Sequence, residues 1–145
     1  MTPRLPDALS AGHRERLLKA AHETTLSQGT RLFDEGGGAD RFWVLRGGTV
    51  ALDVHVPGRR PPVVETLGGG DLVGCSWLFA PYVWQLGAVA TTPVEAYVFD
   101  AVTVRLMCEE DADLGRAVGR WVGQVLAGRL GAARTRLVDL YGGPS

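Results

Sequence analysis

The chain has 145 residues and a formal net charge of -1, with 46% hydrophobic and 21% charged residues. This is the size of a single domain that can bury a core, and the near-neutral charge argues against nucleic acid or an anionic membrane as partner. No apolar stretch approaches the roughly 18 residues of a membrane-spanning helix, and no segment is typical of a signal peptide. We therefore expect a cytoplasmic protein without membrane contact.

The first predicted element is a short helix from Ser10 to about Ala21. Ser10 is a suitable N-cap because its hydroxyl can accept a hydrogen bond from a free N–H of the first turn. Leu17, Leu18 and Ala21 would form the apolar face of this helix.

The middle of the chain is predicted to be a series of short strands separated by glycine and proline. The predicted strands cover residues 30–33, 41–45, 49–56, 63–67, 87–92 and 94–99. Short, regularly spaced strands with such turns are typical of a β-sandwich or barrel.

After the strands, residues 113–141 contain no proline and are predicted to form one long helix. An apolar stripe with spacings of three or four runs along it, made of Val122, Leu126, Leu130, Ala133, Leu137 and Leu140. At 1.5 Å per residue this helix would be roughly 40 Å long, more than a small barrel needs to cover itself. We expect it to pack on something else as well.

Three segments carry recognisable motifs: GTRLFDEG at 29–36, ADRFWVLRGGTV at 39–50 and LGGGDLVG at 67–74. With the flanking helices they closely resemble cyclic nucleotide-binding domains of the Crp type, over nearly the whole chain. The resemblance implies a mainly β fold, an antiparallel β-roll or jelly roll with a short N-terminal and a long C-terminal helix. The expected organisation is one domain over 1–145, with an N-terminal helical segment (1–23), the β-roll (24–100) and a C-terminal helical segment (101–145).

The resemblance also implies a cyclic nucleotide as ligand, but the phosphate-binding cassette departs from the family pattern. Family members that bind nucleotide have a glutamate after the cassette glycine, and about ten residues later an arginine beside a small hydroxyl residue. Here Cys75 follows Gly74, and those two later positions fall at about Trp84 and Gln85. No arginine or lysine occurs between residues 63 and 104. A buried phosphate needs a paired charge, so we expect weak or lost binding of cyclic AMP and cyclic GMP.

The segment CSWLFAPYVW at residues 75–84 replaces the cassette and has four aromatic residues in eight positions. It predicts a ligand pocket formed by Gly74, Cys75, Ser76, Trp77, Tyr82, Trp84 and Gln85. The register of the family's C-terminal helix adds candidate contacts at Arg129, Ala133, Arg134 and Thr135.

Three interpretations of this pocket stay open. It could bind a flatter, more apolar ligand by stacking and burial. Alternatively, Trp77, Phe79 and Trp84 could fill the cavity themselves. A nucleotide could also be held by backbone N–H groups together with Arg129 or Arg134.

The long helix carries a stripe of small residues at every fourth position: Gly115, Gly119, Gly123, Ala127 and Gly131. Glycine inside a helix costs about 0.8–1 kcal/mol relative to alanine, so the stripe should have a packing reason. It could admit the β-roll or a partner helix, or merely clear the Trp77–Trp84 segment. In Crp-type relatives the equivalent helix forms the dimer coiled coil. The resemblance thus implies a homodimer, or a contact with another protein, through Gly119, Gly123, Leu126, Leu130 and Leu137.

No residue pattern points to catalysis or to a metal. His55 is the only histidine of the β-region, and Cys75 and Cys108 are too far apart in sequence to predict a disulfide or a thiolate site. The chain ends before a recognition helix could form, so we expect no direct DNA binding. The sequence favours a non-catalytic module that senses a small-molecule ligand; the alternative is an interaction module with a self-filled pocket that acts through its C-terminal helix.

Overall fold

A computed structural model describes residues 9–142, so the ends of the predicted domain, 1–8 and 143–145, lie outside the described residues. The helices of the described part are α1 (Ala11–Lys19), α2 (Ala101–Glu110) and α3 (Ala112–Gly142). Its strands are β1 (Ala21–Leu26), β2 (Arg31–Phe33), β3 (Arg41–Gly47), β4 (Val50–Asp53), β5 (Val63–Leu67), β6 (Leu72–Val73), β7 (Gly87–Ala90) and β8 (Val94–Asp100). A short 3₁₀ helix, Ser76–Leu78, follows β6. The predicted mainly β fold with flanking helices is confirmed.

The strands form two antiparallel sheets of four strands each, in the orders β1-β8-β3-β6 and β2-β7-β4-β5. Strand β3 is central, and its residues 42–45 are all buried, which requires cover on both faces. On one face Phe42 pairs in register with Phe99 of β8, and their rings stack at 4.6 Å. Trp77 stacks on the same Phe42 ring at 3.9 Å, so the 3₁₀ helix is anchored in the core.

Each α-helix begins at a polar side chain that accepts hydrogen bonds from its first turn. Ser10 accepts from the N–H of His13 at 3.1 Å, as predicted for the N-cap of α1. Asp100 accepts from the N–H of Thr103 at 2.9 Å and begins α2. Asp111 ends α2 and begins α3, so one carboxylate sets the corner between the two helices.

Four elements differ from the predicted ones. Helix α1 ends at Lys19, and β1 begins at Ala21, inside the segment that was predicted to be helical. The C-terminal segment holds two helices, because α2 precedes the predicted long one. The two-residue strand β6 was not predicted, because two residues are too few for any periodicity.

Candidate functional site

The candidate site is built around the turn that follows β6. Gly74 has a φ of +101°, a left-handed conformation that glycine adopts without strain. The six-membered ring of Trp84 lies against it: a Cβ added to Gly74 would be 2.7 Å from Trp84 Cη2. Trp84 also stacks on Phe33 at 3.8 Å and is almost fully buried. The indole therefore fills the space directly beside Gly74.

Beside Trp84 a cavity of about 320 Å³ lies between the 74–86 segment and helix α3. Its lining is mostly apolar and consists of Phe33, Leu52, Gly74, Cys75, Ser76, Trp84, Gln85, Leu86, Leu126, Arg129 and Leu130. The volume is in the range of small-molecule pockets. A cavity of this kind favours a ligand with a large apolar surface and few polar groups.

Among the described residues, Arg129 is the only basic side chain that lines this cavity. Its Nη1 donates to the Sγ of Cys75 at 3.3 Å, and its Nη2 donates to the carbonyl oxygen of Leu72. Its Nε lies 3.6 Å from Glu65 Oε2, close enough for an ion pair but long for a hydrogen bond. A partly buried guanidinium thus has a thiol sulfur, which is a weak acceptor, as one of its partners.

The thiol of Cys75 stays protonated in this environment. Burial raises the pKa of the Cys75 thiol, and the positive charge of Arg129 offsets only part of that effect. The neutral thiol is therefore the form that faces the cavity at neutral pH, and it is a poor nucleophile. Cys75 and Cys108 are both free of disulfide bonds.

The structure brings together six of the predicted pocket and helix residues at the cavity: Gly74, Cys75, Ser76, Trp84, Gln85 and Arg129. Five lining residues were not predicted for the pocket. Leu126 and Leu130 were predicted only for the contact of the long helix with a partner. The other three are Phe33, Leu52 and Leu86. Phe33 and Leu52 belong to the sheet β2-β7-β4-β5, and Leu86 directly precedes its strand β7. The sequence alone does not indicate how this sheet packs over the cassette. The alternation of β2, with Phe33 at its end, was the available signal.

Two predicted pocket residues lie elsewhere. Trp77 belongs to the 3₁₀ helix, is fully buried against Phe42 in the core and does not line the cavity. Tyr82 lies on the outside, where the guanidinium of Arg105 lies over its ring, 4.1 Å from the ring centroid. The prediction failed because the 3₁₀ helix and the following turn rotate neighbouring aromatic residues to different sides. Trp84 fills part of the space, whereas Phe79 is half exposed, so the segment does not fill the cavity completely.

Three predicted helix contacts also lie away from the cavity. Ala133, Arg134 and Thr135 are all exposed, and the hydroxyl of Thr135 donates to the carbonyl of Gly131 within its own helix. Helix α3 meets the cavity about one turn earlier, at Leu126 and Leu130.

Helix α3 changes character along its length. Its first half packs on the core through Leu114, Val118, Trp121 and Val122, which are buried. From residue 126 onward its large apolar side chains are exposed: Leu126, Leu130, Leu137, Val138, Leu140 and Tyr141.

The glycine stripe is largely unpacked within the chain. Only its first member is crowded, since a Cβ at Gly115 would lie 2.7 Å from the carbonyl oxygen of Cys108. A Cβ at Gly119 or Gly123 would meet no atom within 4 Å. These two glycines therefore do not clear the Trp77–Trp84 segment, and that alternative is wrong.

Within residues 9–142 there is no group of three or more His, Cys, Asp or Glu side chains that could hold a metal ion. None of the described helices combines the length and hydropathy needed to cross a membrane.

Comparison with known proteins places this geometry in context. The family model described as "Cyclic nucleotide-binding domain" matches residues 23–111. The chain is 26% identical over 135 residues to the CRP-like cAMP-activated global transcriptional regulator of Mycobacterium tuberculosis. The aligned region covers 93% of this chain and 56% of that regulator. The chain thus spans about half the length of this relative.

Two solved structures extend the similarity. The N-terminal domain of a transcriptional regulator from Streptomyces coelicolor A3(2) has 26% identity and a TM-score of 0.69, covering 86% of this chain and 87% of its own. A cyclic nucleotide-binding domain from Methylobacillus flagellatus KT has 18% identity and a TM-score of 0.82, covering 94% and 76%. At that identity the second similarity shows the fold alone.

Proposed function

Since the chain belongs to the cyclic nucleotide-binding domain family, we propose that it is a non-catalytic regulatory module whose cavity has been remodelled for another small ligand. The observation that carries this proposal is the position of Trp84. The indole lies against Gly74 at the place where the family resemblance expects the phosphate-pairing arginine. An apolar ring there offers no charge to a phosphate, while the cavity beside it remains open.

Cyclic nucleotide binding is accordingly weak or lost. Cys75 stands at the position expected for the ribose-binding glutamate, and its neutral thiol cannot replace a carboxylate as acceptor for the ribose 2′-hydroxyl. Arg129 is engaged by Leu72 and Glu65. A nucleotide would have to displace Trp84 or break these contacts, and both steps oppose binding.

Isothermal titration calorimetry with cyclic AMP, cyclic GMP and cyclic di-nucleotides tests this proposal. We expect no binding, or a dissociation constant weaker than about 10 μM, which corresponds to about −7 kcal/mol. The cAMP-activated regulator of Mycobacterium tuberculosis, titrated in the same buffer, is the positive control. A tighter constant for any of these nucleotides would contradict the proposed remodelling.

The module is further proposed to act through the exposed half of α3, as a homodimer or with another protein. Seven residues of α3 follow one another at alternating spacings of four and three, which is the pattern of a coiled-coil seam. They are Gly119, Gly123, Leu126, Leu130, Ala133, Leu137 and Leu140. Leu126 and Leu130 belong both to this seam and to the cavity lining. A ligand that moves these two side chains would therefore also change the helix contact.

Sedimentation equilibrium over a range of concentrations tests the association. We expect a homodimer, and a monomer at all concentrations would leave only a contact with a different protein. Because related chains are regulators, the cytoplasm is the proposed compartment. We further propose that residues 9–142 make no direct contact with DNA.

A further inference from the structure

The ligand of the cavity can be narrowed to a chemical class. We infer that the cavity binds a small amphipathic monoanion, with a flat apolar body and one carboxylate that pairs with Arg129; this inference rests on the proposed function. The inference combines the shape and lining of the cavity with the unusual set of partners around the Arg129 guanidinium.

The apolar body is favoured by the walls. Trp84 and Phe33 stack on each other on one side, and Leu126 and Leu130 approach from α3. A second groove of about 240 Å³ shares Cys75, Ser76, Gln85 and Leu126 with the cavity and continues along the outside of the 75–85 segment. Cavity and groove together form an elongated space that is largely apolar, which suits a flat ring system better than a sugar.

The carboxylate is favoured by Arg129. A carboxylate oxygen is a much stronger acceptor for a guanidinium N–H than a thiol sulfur, and among the described residues the acceptor of Nη1 is the Cys75 sulfur. A carboxylate in the cavity would take the place of that sulfur, while Nη2 keeps the Leu72 carbonyl. The exchange replaces a weak acceptor by a charged one and needs no new cation.

A single negative charge fits the local balance better than two. Arg129 is the one cation among the described lining residues, and Glu65 lies within 3.6 Å of its Nε. A phosphate monoester would bring up to two negative charges beside this carboxylate with only one guanidinium to balance them. A monoanion adds only one negative charge, and the partly exposed side chain of Glu65 can turn toward solvent so that Arg129 pairs with the ligand in its place.

The test is a comparison of two flat probes that differ in charge, 2-naphthoate and 2-naphthalenemethanol, titrated calorimetrically at pH 7.5. We expect the wild-type protein to bind 2-naphthoate at least about tenfold more tightly than the alcohol, about 1.4 kcal/mol. In Arg129→Gln the preference should fall to about one, with the alcohol affinity changed less than about threefold. Arg134→Gln is the matched control, since Arg134 is exposed on the same helix away from the cavity, and it should keep the wild-type preference.

The outcomes separate this inference from the proposed function. Equal binding of both probes by the wild-type protein would overturn the anion class but support a ligand-binding cavity. Binding of neither probe up to about 1 mM would overturn the inference together with the remodelled-pocket part of the proposed function. A preference that survives Arg129→Gln would place the carboxylate elsewhere and refute the role of Arg129. The wild-type preference tests the inference even if Arg129→Gln does not fold, and alcohol binding reports whether its cavity is intact.

Discussion

Trp84 and Gly74 are mutually dependent: the indole ring occupies the space in which any side chain at position 74 would have to lie. Gly74 supplies the left-handed turn after β6, and Trp84 uses the resulting gap to reach Phe33 across the sheets. The glycine of the family's cassette is thus kept, but its free surface contacts an aromatic ring. This relationship explains how a cassette-like turn can persist where the expected phosphate partner is missing.

Gly74→Ala should destabilise the protein by about 1–3 kcal/mol, because it combines a strained positive φ with a close approach to Trp84. The measurement is the free energy of unfolding in urea. Gly68→Ala is the matched control, since a Cβ there meets no atom within 4 Å, and its effect should stay within about 0.5 kcal/mol. Similar losses for both variants would argue against the close Trp84 contact.

The ion pair between Arg31 and Asp53 connects strands β2 and β4, which belong to the same sheet. Arg31 donates to Asp53 through Nη1 at 2.6 Å and Nη2 at 3.1 Å, and Asp53 is only 5% exposed. Asp53→Asn should lower the free energy of unfolding by about 1.5–3 kcal/mol, since it removes the charge of the buried partner, which accepts from both Nη1 and Nη2 of Arg31.

The same arginine provides the control for this prediction. Asp34 accepts from Arg31 Nε at 3.0 Å, but its side chain is 77% exposed. Asp34→Asn should therefore change stability by no more than about 0.5 kcal/mol. Urea unfolding of both variants measures the difference, and equal losses would show that burial of Asp53 does not strengthen its pair.

Dimerisation through α3 can be tested with two neighbouring residues of equal exposure. Leu137 and Val138 are 56% and 57% exposed, but only Leu137 lies on the seam with Leu130. Leu137→Glu should raise the dimer dissociation constant at least about tenfold, because it places a charge in an apolar contact. Val138→Glu should change it less than about threefold. Sedimentation equilibrium gives both constants, and equal effects would reject this seam.

The positions of six of the eight strands were predictable because glycines and prolines mark their turns, and the resemblance then implied the roll. Trp77 and Trp84 show what was not predictable. Both are aromatic residues of one short segment, but Trp77 stacks on Phe42 in the core and Trp84 on Phe33 at the cavity. Which one points inward depends on a single 3₁₀ turn and on contacts with strands far away in sequence.

The helix contacts failed for a different reason. The family register placed the contacts at Ala133, Arg134 and Thr135, whereas the apolar residues that line the cavity are Leu126 and Leu130, which were predicted for a partner contact. Ala133 lies on the same side one turn later and does not line the cavity. Periodicity fixes the side of a helix, but the point at which the helix passes the edge of the roll depends on its position relative to the sheets.

Asp111 should give the corner between α2 and α3 a stability that depends on pH. The N–H of Leu114, and then the guanidinium of Arg16, hold the pKa of the Asp111 carboxyl below its ordinary value. A carboxyl with a lowered pKa in the folded state stabilises that state above its unfolded pKa of about 3.9, and this contribution is lost as pH falls through the folded pKa. Asp111→Asn keeps an N-cap oxygen but removes the charge.

Wild-type protein should therefore be more stable than Asp111→Asn at pH 7, and the gap should shrink as pH falls below about 4. Urea unfolding of both proteins at several pH values measures this gap, in which the titration of the other carboxyl groups cancels. Arg16→Gln serves as a second background, because it removes one source of the lowered pKa but leaves the Leu114 N–H. At pH 7, Arg16→Gln should be more stable than the double variant Arg16→Gln/Asp111→Asn, by a difference that is smaller than the one between wild type and Asp111→Asn. A gap that stays constant from pH 7 to pH 3 would mean that the charge on Asp111 does not stabilise the corner.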